Sequence, residues 1–364
     1  MFFAERIFLM NVFFDVQQLY YLPQYLPIKN LLVKNGIYCR FVFYKSAEFV
    51  RQQRQLIASL KLDVIWVGNE DEAGLVYAKE KPDWIFIANY FSSLSEVNEF
   101  SKTALVSHGI GPKSCYYDVS DSATNVRFVE GPYRTARLKG LYPRQTFVDT
   151  GYAKLDPIVN GEISHFKPSK FGLDDSKKTI LYAPTFYPSS IECLPKSFPK
   201  EFREYNIIVK PHYFSLANLK YKKQKRLLEV WGGQDNVYLA GLNEVNIIPF
   251  MAVADVLISD ASSTLFEFAA LNKPVVWCDF YKLRWGYRGL LKFRFKKRMD
   301  EDLYKYADIA IHAKTYQELK ACVDSQMQSP DAFAQQRKKH TLALAGKVDG
   351  QCSKRIVDYI LKNK

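Results

Sequence analysis

The chain has 364 residues, 48% of them hydrophobic, enough for two domains of ordinary size with a core each. A formal net charge of +13 points to an anionic partner, and nothing in the composition resembles a collagen, a coiled coil or a disordered tail. The six cysteines are scattered without a Cys-x-x-Cys pair, which reads as free, buried thiols in a reducing compartment and gives no metal-ligand spacing.

The predicted elements begin with an apolar strand over Ile7–Phe14. The residues before it, Met1 to Arg6, carry no basic leader followed by a cleavage site, and no run in the chain is long enough to span a bilayer. The expectation is a cytoplasmic protein, peripheral at most on the inner face of the plasma membrane. A helix from Pro23 to Leu32 follows, closed by Asn35-Gly36. Then come a strand over Tyr38–Tyr44, a helix over Glu48–Leu60, a strand over Val64–Val67 and a helix over Ala73–Lys79. Trp84–Ala88 and Ala104–Ser107 are further strands. These runs are continuously apolar, as strands covered on both faces are, so the pattern predicts a parallel βαβ sheet. Gly151 to Pro168, with two Gly and two Pro, reads as a hinge.

A second series follows. Strands are expected at Thr179–Tyr182, Ile207–Val209, Val237–Leu239, Val256–Ile258 and Val275–Trp277. A basic helix is expected over Leu219–Trp231, and later helices at Glu318–Ser325, Phe333–Leu344 and Ser353–Leu361. The fold class is therefore α/β, with two Rossmann-like domains facing across a cleft. The boundaries read as 1–155 for an acceptor domain and 156–345 for a nucleotide-donor domain. Residues 346–364 form a last helix that packs back on the first domain.

Five short motifs carry chemistry. Ser107-His108-Gly109-Ile110-Gly111-Pro112-Lys113 opens a tight loop at a strand end. His108 suits a general base, Gly109 and Gly111 allow positive φ or close approach, and Lys113 can screen phosphate charge. Gly151-Tyr152-Ala153-Lys154-Leu155-Asp156 closes the first domain, as a cleft wall or a linker turn. Tyr182-Ala183-Pro184-Thr185 turns a hydroxyl toward the sheet edge. Ile207-Ile208-Val209-Lys210-Pro211-His212 delivers a lysine and a histidine at a strand's carboxyl end, both suited to a diphosphate. Ser259-Asp260-Ala261-Ser262-Ser263-Thr264 leads into a helix from Phe266, with Glu267 in its first turn, and Asn272-Lys273-Pro274 ends that helix. This turn serves as a plain N-cap or as an anion site. Several strands thus deliver polar groups to one edge, which favours function over separate structural roles.

Taken in order, these motifs resemble the CDP-glycerol glycerophosphotransferase family, the teichoic-acid primases and polymerases of the GT-B type, over roughly residues 100 to 280. The resemblance implies an enzyme of cell-envelope polymer synthesis, in teichoic acid or capsule polysaccharide. It would move glycerol phosphate, or a related polyol phosphate, from a CDP-linked donor to a glycan or lipid-linked polymer. His108 and His212 are implied as catalytic. Lys210, Thr185, Ser259, Asp260, Ser262, Ser263, Thr264 and Glu267 are implied around the donor, and Gly109, Gly111 and Lys113 around the acceptor or its phosphate. No cofactor and no metal are implied. Asp300-Glu301-Asp302 has the spacing of a metal-binding acidic pair but reads as a solvated helix start. The run from Lys282 to Arg298 mixes cations with aromatics, which suits an anionic membrane surface, a solvated face or, less well, nucleic acid. Two alternatives stand beside this reading: a GT-B glycosyltransferase using a nucleotide sugar, and a non-enzymatic polyanion-binding scaffold.

Overall fold

The computed structural model describes residues 10–46, 49–111, 115–260, 262–283, 289 and 301–364; the side chains of 115, 116 and 301–304 are outside that description. The chain divides into two compact units. One holds residues 1–108, 115–156 and 346–364; the other holds 109–114 and 157–345. Each is built on one parallel sheet.

The first unit contains β1 (Asn11–Val16), α1 (Leu22–Lys34), β2 (Tyr38–Tyr44), α2 (Val50–Leu60), β3 (Val64–Val67), α3 (Glu70–Glu80) and β4 (Trp84–Ile87). It continues through α4 (Leu94–Val97), β5 (Lys102–Val106), α5 (Cys115–Asp118), β6 (Val126–Val129), α6 (Pro132–Leu141) and β7 (Phe147–Asp149). Strand order is β3-β2-β1-β4-β5-β6-β7, every pair parallel. The order reverses between β1 and β4, so the carboxyl ends of those strands flank the crevice where open α/β sheets take ligands.

The helices start and stop for local reasons. The Asn69 side chain accepts from the Glu72 N–H at 2.9 Å, and three acidic residues occupy the first turn of α3. Gly36, at φ +75°, turns the chain out of α1 into β2. Phe14, Phe41 and Phe86 stack at 5.0 Å across three adjacent strands, which locks their register on one sheet face.

Two strands of this sheet were not expected. In β6 the buried Arg127 interrupts the apolar run, and β7 is only three residues long. The supposed hinge carries a 3-10 turn at Ala153–Leu155 and a short helix, α7 (Asp156–Val159). The first strand starts at Asn11 rather than Ile7, which lies outside the described residues.

The second unit contains β8 (Thr179–Tyr182), β9 (Asn206–Val209), α8 (Tyr213–Ala217), α9 (Lys222–Gly232), β10 (Val237–Leu239), α10 (Ile248–Val253) and β11 (Val256–Ser259). It ends with α11 (Ser263–Ala269), β12 (Val275–Cys278), β13 (Ile311–Ala313), α12 (Tyr316–Gln328) and α13 (Ala334–Leu344). Strand order is β10-β9-β8-β11-β12-β13, and the reversal lies between β8 and β11. Trp231 of α9 is fully buried against Tyr182 and Phe198, and its indole N–H donates to the Pro195 carbonyl at 3.0 Å. The basic helix begins at Lys222 because Leu219–Tyr221 form a 3-10 turn capped by Asn218. β13 was missed because His312 breaks its three-residue run.

The last helix, α14 (Cys352–Lys362), belongs to the first unit and lies against α1. Tyr359 meets the rings of Trp84 and Phe128. Asp156 holds its start: one carboxylate oxygen accepts from the Ser353 N–H at 2.7 Å, the other from Cys352 at 3.3 Å. Replacing Asp156 by Ala leaves both buried donors unpaired. It should lower the free energy of unfolding by about 1–3 kcal/mol in urea denaturation, with Asp156→Asn recovering part of the loss.

Candidate functional site

Both sheets bring polar residues to the carboxyl ends of their strands. In the first unit, Ser107 and His108 follow β5. Ser107 is buried, and His108 is partly exposed. The imidazole stacks on Tyr21 at 5.2 Å and 30°, and Tyr20 meets it edge-on at 5.0 Å. Its backbone carbonyl accepts a hydrogen bond from the Tyr152 hydroxyl at 3.0 Å. The Gly-Tyr-x-x-x-Asp element therefore has two visible roles. Tyr152 steadies the His108 peptide, and Asp156 caps the last helix. Gly151, just ahead of Tyr152, takes φ +88°.

Asp15 lies in β1 at the point where the strand order reverses, one residue beyond the strand end expected from the sequence. It is 1% exposed, and one carboxylate oxygen accepts from Tyr77 at 2.7 Å and Tyr44 at 2.8 Å. Burial pushes its carboxyl up to about 7; the two phenol hydrogen bonds and nearby Glu70 are smaller influences. The hydroxyl of Tyr25, which feels Asp15, is fully buried and has no hydrogen-bond partner among the described residues. Nothing in sequence periodicity marks this cluster, because Tyr21, Tyr25, Tyr44 and Tyr77 come from four different elements.

In the second unit, Thr185 and the turn after β11 stand on either side of the reversal point. Asp260 is 1% exposed. It accepts from the Thr185 N–H at 2.6 Å, and from both the N–H and the hydroxyl of Ser190 at 2.9 Å. Burial raises its carboxyl to about 6 against these hydrogen bonds. Ser259 is also buried and donates to the Ala183 carbonyl at 2.6 Å. The side chains of Ser259 and Asp260 are thus engaged inside the fold. They hold the loops at the sheet edge and are not themselves displayed on it. Glu267 is buried in α11 in the same way.

Ser262, Ser263 and Thr264 are half-buried. Ser262 caps α11, its hydroxyl accepting from the Thr264 N–H at 3.3 Å. The helix starts at Ser263, three residues before Phe266, because this cap recruits the hydroxyl residues into its first turn. It is only two turns long, so any attraction for an anion comes from local N–H and O–H groups more than from a long helix dipole. The Lys273 ammonium donates to the carbonyls of Met251, Ala252 and Ala254 at 2.8–2.9 Å, closing the end of α10. Burial lowers it to about 8.

The Lys210 N–H completes the β9–β8 ladder by donating to the Tyr182 carbonyl at 2.8 Å. His212 caps α8: its Nδ1 accepts from the Phe214 N–H at 3.2 Å, while the ring packs on Phe186 at 4.6 Å. That hydrogen bond assigns the ring proton to Nε2, so neutral His212 offers a donor rather than a base. Thr185, Lys210, His212 and Ser262–Thr264 thus share one sheet edge in this unit. Gly109 and Gly111 belong to the same unit, whereas His108 closes the segment assigned to the other. Lys113 and Ala261 lie outside the described residues, as does most of the basic run after Lys282. Among the described residues no group of three or more His, Cys, Asp or Glu is placed to hold a metal ion.

Comparison with known proteins adds the family. A family model for CDP-glycerol:poly(glycerophosphate) glycerophosphotransferase matches residues 117–362. The teichoic acid glycerol-phosphate primase of Bacillus spizizenii is 31% identical over 136 residues, which is 37% of this chain and 34% of that protein. The teichoic acid poly(glycerol phosphate) polymerase of the same organism is 27% identical over 189 residues, 47% of this chain and 44% of that protein. The chain thus matches less than half the length of either relative. Among solved structures, the wall teichoic acid polymerase TagF superposes with a TM-score of 0.66 at 16% identity, over 97% of this chain and 88% of that one. A putative UDP-N-acetylglucosamine 2-epimerase from Listeria monocytogenes gives 0.63 at 12% identity, over 97% and 96%. At such identities the likeness concerns the fold, which is GT-B-like.

The Asp15 cluster gives a pH signature. Its folded-state value of about 7 lies above the ordinary 3.8, so protonation favours the folded form. The contribution is complete below the ordinary value and is lost as the pH rises through about 7. Asp15→Asn keeps an acceptor for Tyr44 and Tyr77 and removes the titration. Thermal unfolding should show the variant gaining about 2–4 kcal/mol on the wild type between pH 5 and pH 8. Parallel pH profiles would refute the assignment.

Proposed function

The chain belongs to the CDP-glycerol:poly(glycerophosphate) glycerophosphotransferase family, and on that footing we propose that it transfers glycerol phosphate, or a related polyol phosphate, from a CDP-linked donor to a hydroxyl of a teichoic-acid-like or capsular polymer. The observation that carries this reading is the shared edge of the second sheet. A lysine, a histidine and a set of hydroxyls stand there at three strand ends around the reversal point, where open α/β sheets take nucleotides.

In the proposed reaction the acceptor hydroxyl oxygen attacks the phosphorus that bears the glycerol. Its proton passes to His108, the bond from that phosphorus to the bridging oxygen breaks, and CMP leaves with the electron pair. Lys210 and the Nε2–H of His212 take up charge on the diphosphate as it shifts toward the leaving group. Thr185, Ser262, Ser263 and Thr264 supply neutral donors to the same oxygens. The cradle of Tyr20 and Tyr21 fixes the ring of His108, and Tyr152 fixes its peptide. Positioning and charge stabilisation of this kind suffice for phosphoryl transfer.

Incubating the chain with CDP-glycerol and a polymer acceptor should release CMP. His108→Ala should lower that rate by about 10²–10⁴-fold while leaving donor binding within a few-fold in calorimetry. Release of UDP from a nucleotide sugar in place of CMP would favour the glycosyltransferase alternative. Unaltered polymer output in cells carrying His108→Ala would favour the scaffold.

The acceptor polymer is proposed to be lipid-linked, with the protein working at the inner membrane face. No helix among the described residues is long and apolar enough to cross a membrane. Support comes from the start of α9, where Lys220, Lys222, Lys223, Lys225 and Arg226 are all exposed and Leu219 is 85% exposed beside them. A protruding leucine among cations suits an anionic headgroup layer, at about 1 kcal/mol per cation. Vesicles containing phosphatidylglycerol should therefore sediment the protein, and neutral vesicles should not. Exchanging the four lysines for Glu should cut the bound fraction severalfold. Equal binding to both vesicle types would count against this placement.

A further inference from the structure

The loop that follows His108 is packed into the second unit. Ile110 is fully buried and, with Phe266, Ile309, Arg337, His340 and Leu344, lines a small cavity. Gly111 takes φ +107°, and a Cβ built on it would lie 2.8 Å from Cδ2 of Phe266. A side chain at 111 therefore requires either the ring or the loop to move, and its backbone conformation is one that L-residues rarely adopt. The Phe266 ring has little room to yield. Trp277 and Tyr306 meet it edge-on, at 6.4 Å and 6.2 Å between ring centres. It is 4% exposed.

Phe266 stands four residues after Ser262, the cap of α11, and so about one helical turn beyond the hydroxyls proposed to meet the donor diphosphate. The segment it grips begins one residue after His108. Tyr20, Tyr21 and Tyr152 hold the imidazole and its carbonyl, and Phe266 holds the loop that begins at the next residue.

We propose that Phe266 is a positioning residue for the loop that leaves His108: by gripping Ile110 and Gly111, it fixes the path of the chain next to the proposed base. This rests on the glycerophosphotransferase reading and deepens it. Close-packed interiors transmit small displacements, because their side chains have few alternative arrangements. A displacement of α11 when a nucleotide seats at its first turn is carried by Phe266 to the residues next to His108.

The test compares the wild type with Phe266→Ala, Phe266→Leu and Gly111→Ala, each confirmed as folded by circular dichroism and thermal unfolding. Phe266→Ala should lower kcat for CMP release by about 10–100-fold, the cost of misplacing a reacting group by about an ångström, with donor KM changed less than threefold. Gly111→Ala should do the same from the other side of the contact, and Phe266→Leu should recover most of the rate. In imidazole-labelled protein, CMP should move the His108 resonance in the wild type and not in Phe266→Ala. A folded Phe266→Ala enzyme with wild-type kcat, or one in which CMP still moves the resonance equally, overturns the positioning role. A wild-type chain that releases no CMP from CDP-glycerol overturns the transferase reading instead, and this proposal with it.

Discussion

The carboxylate of Asp260 is the contact on which the edge of the second sheet depends. It sits between two loops that are distant in sequence: the one leaving β8, with Thr185 and Ser190, and the one leaving β11, of which it is itself a part. Strand pairing fixes β8 beside β11 but says nothing about the path of either loop beyond the last ladder bond. Buried backbone N–H groups must find acceptors, and here one side chain supplies them for both Thr185 and Ser190. Loss of that acceptor would leave donors unsatisfied at about 1–3 kcal/mol each, in the loops where the proposed donor site lies. An ionised carboxylate in this position is costly, and the upward shift to about 6 is the measure of that cost.

The first sheet makes a parallel arrangement with different partners. Asp15 also lies where the strand order reverses, also nearly without solvent, and it is satisfied by phenols in place of backbone N–H groups. Burial raises both carboxyl groups. A buried carboxyl group thus stands at the reversal point of each sheet: Asp260 joins two loops, and Asp15 joins β2 to α3. The Lys273 ammonium belongs to the same class of interior polar work. It satisfies three carbonyls at the end of α10 and is spent in doing so.

These interior roles explain which motif residues could be read correctly and which could not. A serine-rich turn ahead of a helix announces a cap, and Ser262 is one. The same string cannot say that Ser259 and Asp260 point inward and Ser262–Thr264 stay at the surface. That depends on how β11 is pleated and on what lies above β8. Likewise Lys210-Pro211-His212 announces cations at a strand end. Only the Phe214 N–H on Nδ1 turns His212 from a general acid–base candidate into a donor with its proton on Nε2. Tyr152 read as part of a cleft wall or a linker turn, and its hydroxyl lies on the His108 carbonyl 44 residues away in sequence.

The sequence alone determined the two parallel α/β layers. Continuous apolar runs such as Trp84–Ile87, Thr179–Tyr182 and Val275–Cys278 are buried along their whole length, and period and composition suffice to find them. It failed where a polar residue breaks a short run, Arg127 in β6, Asp149 in β7 and His312 in β13, because such strands owe their existence to their neighbours. The order of the motifs along the chain also carried the family. Tertiary structure alone decided the Asp15–tyrosine cluster and the seat of Gly111 against Phe266. Both are made by side chains from separate elements, and no local pattern records which elements the sheet will set side by side.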